Sequence, residues 1–220
     1  WAHHMFTSGM SDIAVFVFSF FTFVVAIPSA IKVFNWLGTM YKGSIYLDPP
    51  FQFALGFIVL FSVGGISGLV QGAAGSDVHI HDTYFVVAHF HYVILGGTMF
   101  GLFSGLHYWF PKIFGKMYDR QRATIAFITM FVGFNVLYAP MYTLGFQGMP
   151  RRYYDYLPVY LEGHFISTIG SWLFAFGLIL MFINLYRGLV SGKTAPSNPW
   201  GGATLEWTVP SPPPAENFTT

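Results

Sequence analysis

Five apolar stretches, each long enough to cross a lipid bilayer, fix most of what this chain can become: about 13–37, 50–71, 84–110, 123–146 and 163–187. A hydrocarbon core about 30 Å thick takes roughly 20 helical residues to cross. Lipid offers no partner to an open strand edge, and no ten-residue alternating pattern of a barrel strand is present. The spans are therefore expected to be helices, and the fold class all-α, a polytopic transmembrane helical bundle. Turn-prone or charged clusters at 42–50, 72–82, 111–122 and 148–162 separate them. Beyond about 192 the chain turns polar and Pro-rich, with Pro196, Pro199, Pro210 and a proline run at 212–214 that cannot continue the last helix, so 192–220 reads as an extramembrane tail. Residues 1–220 are expected to form one unit. The chain opens at Trp1 with no initiator Met, charged leader or cleavage site, which leads us to expect a fragment of a longer subunit.

Composition narrows the chemistry. Charged residues make up 9% of the chain and hydrophobic ones 54%, against roughly a quarter charged in soluble domains. The formal charge of +1 gives no basic surface for nucleic acid. With no cysteine there are no disulfides, thiolate metal sites or Cys nucleophiles, so a metal would be held by the eight His or by carboxylates. Lys112, Lys116, Arg120 and Arg122 follow the third span, and Arg187 and Lys193 follow the fifth, which assigns those ends to the inner side. The 72–82 and 148–162 loops then lie outside. Arg151 and Arg152 break that rule, and two readings stand: an anionic partner, or ordinary helix-flanking charge.

The densest polar cluster is Asp77-Val-His79-Ile-His81-Asp82-Thr-Tyr84-Phe-Val-Val-Ala-His89-Phe90-His91, which runs from an outer loop into the third span. Ionisable groups inside a span are costly and are functional suspects by default. His89 and His91, two positions apart, differ by about 200° and about 3 Å of rise on a helix, so they point to opposite faces. They cannot readily chelate one metal, but they could ligate two metals on the order of 15 Å apart, given the helix dimensions. The alternative is that each imidazole simply hydrogen-bonds a neighbouring helix.

His3 and His4 are adjacent ahead of the first span, where an irregular or helix-end backbone would let both meet one borderline ion such as copper; a solvated interfacial pair is the other reading. His81 and Asp82 offer part of a hard-cation site, or Asp82 caps a helix start. Lys32, with Ser29 one turn before it, sits in the inner half of the first span, either snorkelling or conducting protons through its amine and the nearby hydroxyl. His79, His107 and His164 lie at or near span ends, where interfacial packing explains them.

The strings WAHHMF, AIPSAIKVFNWL, HDTYFVVAHFHYV, GMPRRYYDY and NPWGGATLEWTVPSPPP together resemble subunit I of the haem–copper oxidases, of the cytochrome c oxidase type. The resemblance covers essentially the whole chain, from the loop before the eighth of that family's twelve helices through the twelfth and its tail. It implies His3 and His4 as copper ligands, His89 as axial ligand of the oxygen-binding high-spin haem and His91 as ligand of the low-spin haem. It likewise implies His81 and Asp82 as magnesium ligands, Arg151 and Arg152 as holders of haem propionates, and Asp77 as an acid near them, with Phe90 between the two haem environments. Lys32 matches the lysine of the K-type proton channel; Ser29 stands where many members have Thr and keeps the hydroxyl.

The implied activity is reduction of dioxygen to water with electrons from cytochrome c, coupled to proton translocation. The cofactors implied are two haems, of the haem A type, with copper and magnesium; the partners are subunits II and III. The setting implied is a bacterial cell membrane or the mitochondrial inner membrane. The family's second low-spin haem ligand, third copper ligand, cross-linked tyrosine and D-type pathway come from helices outside this sequence, so this stretch alone is expected to be inactive. A nitric oxide reductase shares the histidines, but those enzymes generally lack the lysine. A bis-His membrane cytochrome would space same-face His about fourteen residues apart, and a His-lined transporter would need more polar residues in the second, fourth and fifth spans.

Overall fold

The computed structural model describes residues 1–152 and 154–218. Local chemistry sets the helix boundaries. Ser11 caps α1 (Asp12–Met40) by accepting the Ala14 N–H, and two prolines open α2 (Pro49–Gly72), where their missing N–H groups cost nothing. A short outer helix, α3 (Ala74–Ile80), leads into α4 (Tyr84–His91), capped by the Thr83 hydroxyl. Gly115, left-handed at φ 63°, ends α5 (Phe100–Phe114). Asp119 caps α6 (Arg120–Phe146), and α7 (Leu161–Ser191) completes the bundle. Among the described residues, five segments are long and apolar enough to cross a membrane: α1, α2, the run Tyr84–Phe114, α6, and Pro158–Ser191. The expected all-α transmembrane bundle is what forms.

The third span differs from a uniform helix over 84–110. Between α4 and α5 the backbone widens into a π-helical stretch, Tyr92–Met99. Gly96 and Gly97 lie in this stretch, and a Cβ on Gly96 would meet Leu60 Cβ of α2 at 2.7 Å. Widened turns of this kind occur mostly as local interruptions at functional sites, and a hydropathy run carries no signal of them.

Packing is densest between α6 and α7. A Cβ on Gly133 would lie 2.8 Å from Phe174 Cα, and one on Gly170 2.6 Å from Leu137 Cα, so the two backbones are in direct contact. That is how helices associate where lipid removes the hydrophobic drive between them. Phe53, Leu60, Phe100, Met130, Phe134 and Met181 fill the space between α2, α5, α6 and α7. No residue of α1 is buried; it is tied to the bundle through Ser19, whose hydroxyl donates to Gly72 O at 2.7 Å and accepts the Ala74 N–H at 3.3 Å.

One expectation needs correction. His107 is not an interfacial residue: it is fully buried, stacked on Phe53 at 4.8 Å and edge-on to Tyr118 at 5.0 Å, with Nδ1 on Phe103 O at 2.7 Å. Hydropathy put it near a span end, but the tail covers that end. The tail folds back on Lys112, whose ammonium donates to Ser197 O, Val209 O and Pro210 O at 3.1, 2.8 and 3.2 Å. Trp200 and Trp207 donate their indole N–H groups to Tyr108 O and Tyr108 Oη. Arg120 joins Asp48 at 3.1 Å and lies over the Trp200 ring, tying the tail to the start of α2.

Candidate metal centre

The α4 helix carries the two intramembrane histidines, and its period separates them as expected. His89 faces α2: its Nδ1 lies 3.0 Å from Gly64 O and 3.0 Å from Ser67 Oγ. Gly68 leaves room for the ring, since a Cβ there would meet His89 Cε1 at 3.0 Å. His91 faces α6: its Nδ1 lies 2.8 Å from Val87 O one turn back, and its ring stacks on Tyr138 at 4.3 Å and 17°. In both rings Nδ1 is taken by a protein oxygen, which leaves Nε2 as the nitrogen with a free lone pair. An imidazole whose far N–H is anchored to a carbonyl is the usual arrangement for a metal-ligating histidine.

His3 and His4 sit in a short helical turn, Ala2–His4, the irregular backbone that adjacent ligands require. Their Nε2 atoms are 3.0 Å apart and their rings 4.2 Å between centroids. Burial lowers the pKa of His3, followed by the charges of His4 and His89; burial likewise lowers that of His4, with Asp77 opposing. The pair is thus within electrostatic reach of His89, Asp77 and His81. Neutral imidazole is the form that binds a metal.

The connections before α4 and after α6 are stitched together at the N-terminal end of α4. Tyr84 N–H donates to Met149 O at 3.0 Å and Arg151 N–H to Asp82 O at 2.8 Å, and Thr83 bridges to Pro150. This clamp holds two non-glycine residues in the left-handed region, Asp82 at φ 51° and Arg152 at φ 70°. Asp82 does not cap α4; that task falls to Thr83, and the Asp82 carboxylate turns instead to Arg152 at 3.4 Å. His81 lies between two acids, with Nδ1 3.2 Å from Asp77 Oδ2 and Nε2 3.8 Å from Asp82 Oδ2. Burial raises the pKa of Asp77 and the adjoining imidazole pulls it back. His79, by contrast, is exposed.

The two outer arginines separate in role. Arg152 is ion-paired, whereas Arg151 lays its guanidinium 5.4 Å over the Phe90 ring and has no carboxylate partner among the described residues. Phe90 packs on His91 at 4.3 Å, so Arg151 stands on the His91 side of α4. Lys32 is exposed on α1 and Ser29 half-buried.

The donor set suits the implied groups in part. Two anchored imidazoles with free Nε2 atoms fit two haem irons on opposite faces, and the converging pair at His3 and His4 fits two ligands of one copper ion. Among the described residues no group of three or more His, Asp or Glu could close a metal site alone, so the copper needs a further ligand and a magnesium ion on His81 and Asp82 needs several. Sequence reasoning missed Ser67 and Tyr138, which touch the two imidazoles, and Tyr142, which donates to Ser67. A hydroxyl within the glycine-rich run 64–68 was the one available signal.

Comparison with known proteins shows the family and the fold. The family model for cytochrome c and quinol oxidase polypeptide I matches residues 1–173. The chain is 44% identical over 218 residues to cytochrome c oxidase subunit 1 of Thermostichus vulcanus, covering 99% of the chain and 40% of that protein. Against the Bacillus subtilis subunit 1 it is 46% identical over 221 residues, with coverages of 99% and 36%. It also superimposes on a solved heme–copper terminal oxidase dimer with a TM-score of 0.79 at 24% identity, over 88% of this chain and 40% of that one. The chain therefore spans about two fifths of the length of the curated relatives it matches. A multi-pass integral membrane protein with this sequence and fold belongs to the cytochrome c and quinol oxidase polypeptide I family.

Proposed function

We propose that this chain is the part of a terminal oxidase's catalytic subunit that carries the ligands of the oxygen-reducing centre. The observation that bears most weight is the pair His89 and His91, turned to opposite sides of α4 with each Nδ1 bound to protein oxygen and each Nε2 free. When bound, two haems and a copper ion supply the electron-transfer chemistry by which four electrons from cytochrome c and four protons convert one dioxygen to two waters.

The chain's own residues would do the following. His89 holds the high-spin haem iron through Nε2, and His91 the low-spin haem iron; the backbone carbonyls on their Nδ1–H groups fix tautomer and ring plane. His3 and His4 supply two copper ligands from one turn. Arg151, unpaired and above Phe90, binds haem propionate, and Arg152 lends a second cation while tied to Asp82. Asp77, beside His81, stands in the same outer layer. His81 and Asp82 contribute one nitrogen and one carboxylate to a magnesium ion completed by other ligands. Lys32 and Ser29 move protons from the inner side, because the histidines lie near the outer end of the third span.

In this reading the haems are of the A type, subunits II and III complete the assembly, and electrons arrive through subunit II. The test is a reduced-minus-oxidised optical spectrum of the full-length protein in its membrane, with and without carbon monoxide. Two haems, one of which shifts with carbon monoxide, are expected; His91→Ala should remove the low-spin bands and His89→Ala the carbon monoxide response. A single haem, or unchanged bands in both variants, would refute the assignment.

A further inference from the structure

We propose that Ser67 and Tyr142 act together as positioning residues that set the electron-donating strength of His89. The Ser67 side chain is buried on α2, with Oγ 3.0 Å from His89 Nδ1 and 2.8 Å from Gly64 O, and it receives the Tyr142 hydroxyl of α6 at 2.8 Å. A proton count fixes the direction of every bond. An imidazole bound to metal through Nε2 carries its proton on Nδ1 and donates it. The single Ser67 hydrogen goes to Gly64 O, so Oγ meets Nδ1–H with a lone pair, sharing that hydrogen with Gly64 O, which also lies 3.0 Å from Nδ1; the other Oγ lone pair takes the Tyr142 hydrogen.

Tyr142 is itself held in place. Its ring packs edge-on to Phe85 at 4.9 Å and lies 5.5 Å from Tyr92, whose hydroxyl donates to Asn135 at 2.9 Å. The relay thereby joins α2, α4 and α6 at one nitrogen.

An acceptor on Nδ1–H pushes electron density onto Nε2 and strengthens the ligand. Ser67 is such an acceptor, and Tyr142, by donating into the same oxygen, restrains it. The two residues have opposed effects, and Tyr142 acts only through Ser67.

This inference rests on His89 being the axial ligand, and the experiment separates the two claims. In the ferrous full-length enzyme the iron–histidine stretch is read by resonance Raman and the high-spin haem's reduction potential by titration. Ser67→Ala should lower the stretch and raise the potential, whereas Tyr142→Phe should shift both the other way. Adding Tyr142→Phe to Ser67→Ala should change nothing further, and Ser67→Thr should restore the native values. If His89→Ala retains a carbon-monoxide-binding haem, the ligation itself is wrong. If His89 is the ligand but Ser67→Ala leaves stretch and potential at native values, or Tyr142→Phe still shifts them in the Ser67→Ala background, the relay is overturned.

Discussion

The Nε2 atoms of His3 and His4 stand 3.0 Å apart just ahead of the first span, on a single turn of backbone. At that distance one imidazole can donate its N–H to the other's lone pair; a shared borderline cation such as copper would take both lone pairs instead. We expect either His3→Ala or His4→Ala, in the full-length protein, to lower the copper-to-haem ratio by about one atom per enzyme without removing either haem, since each substitution leaves too few ligands for a stable site. Metal analysis beside an optical spectrum checks this. A ratio unchanged in both variants would contradict it.

Under the proposed function, Lys32, in the C-terminal half of α1, lies toward the inner side, and His89 and His91, near the start of the third span, lie toward the outer side. Protons from the inner side therefore need a titratable carrier along the way. Lys32→Met in the assembled enzyme should reduce oxygen consumption about 100-fold, the scale of a lost proton-transfer group. Near-normal consumption in an oxygen electrode would sink the assignment.

The contact of α6 with α7 depends on glycines. A Cβ on Gly170 would press on the Leu137 backbone, which cannot rotate away as a side chain could. Gly170→Leu should therefore destabilise the helix pair by about 1–3 kcal/mol, the usual cost of overpacking. Thermal unfolding of the purified protein, compared with Gly65→Leu, where a Cβ meets open space, reads the difference.

Lys112 gathers three tail carbonyls and lies 5.0 Å from the Trp207 ring, although no acid pairs with it among the described salt bridges. Lys112→Met keeps the aliphatic stem but leaves those carbonyls without their donor, at about 1–3 kcal/mol for each group that stays buried. We expect limited proteolysis to cut within 193–210 about tenfold faster in the variant, one decade being roughly 1.4 kcal/mol. Equal cleavage rates would show that the tail is held elsewhere.

The sequence by itself determined the helical spans, their number and the opposed directions of His89 and His91, because those follow from hydropathy over about 20 residues and from a fixed rotation per residue. It also marked Arg151 and Arg152 as out of keeping with the charge rule. Only the tertiary structure decided which oxygen each imidazole meets, that Arg152 goes to Asp82 while Arg151 goes to Phe90, that His107 is enclosed by aromatic rings, and that the tail returns to Lys112. Ser67 and Tyr142 are 75 positions apart in sequence. Spans are read from local transfer energy, whereas hydrogen-bond partners depend on which helices pack together, and in lipid that choice rests on small-residue fit and polar satisfaction across long separations.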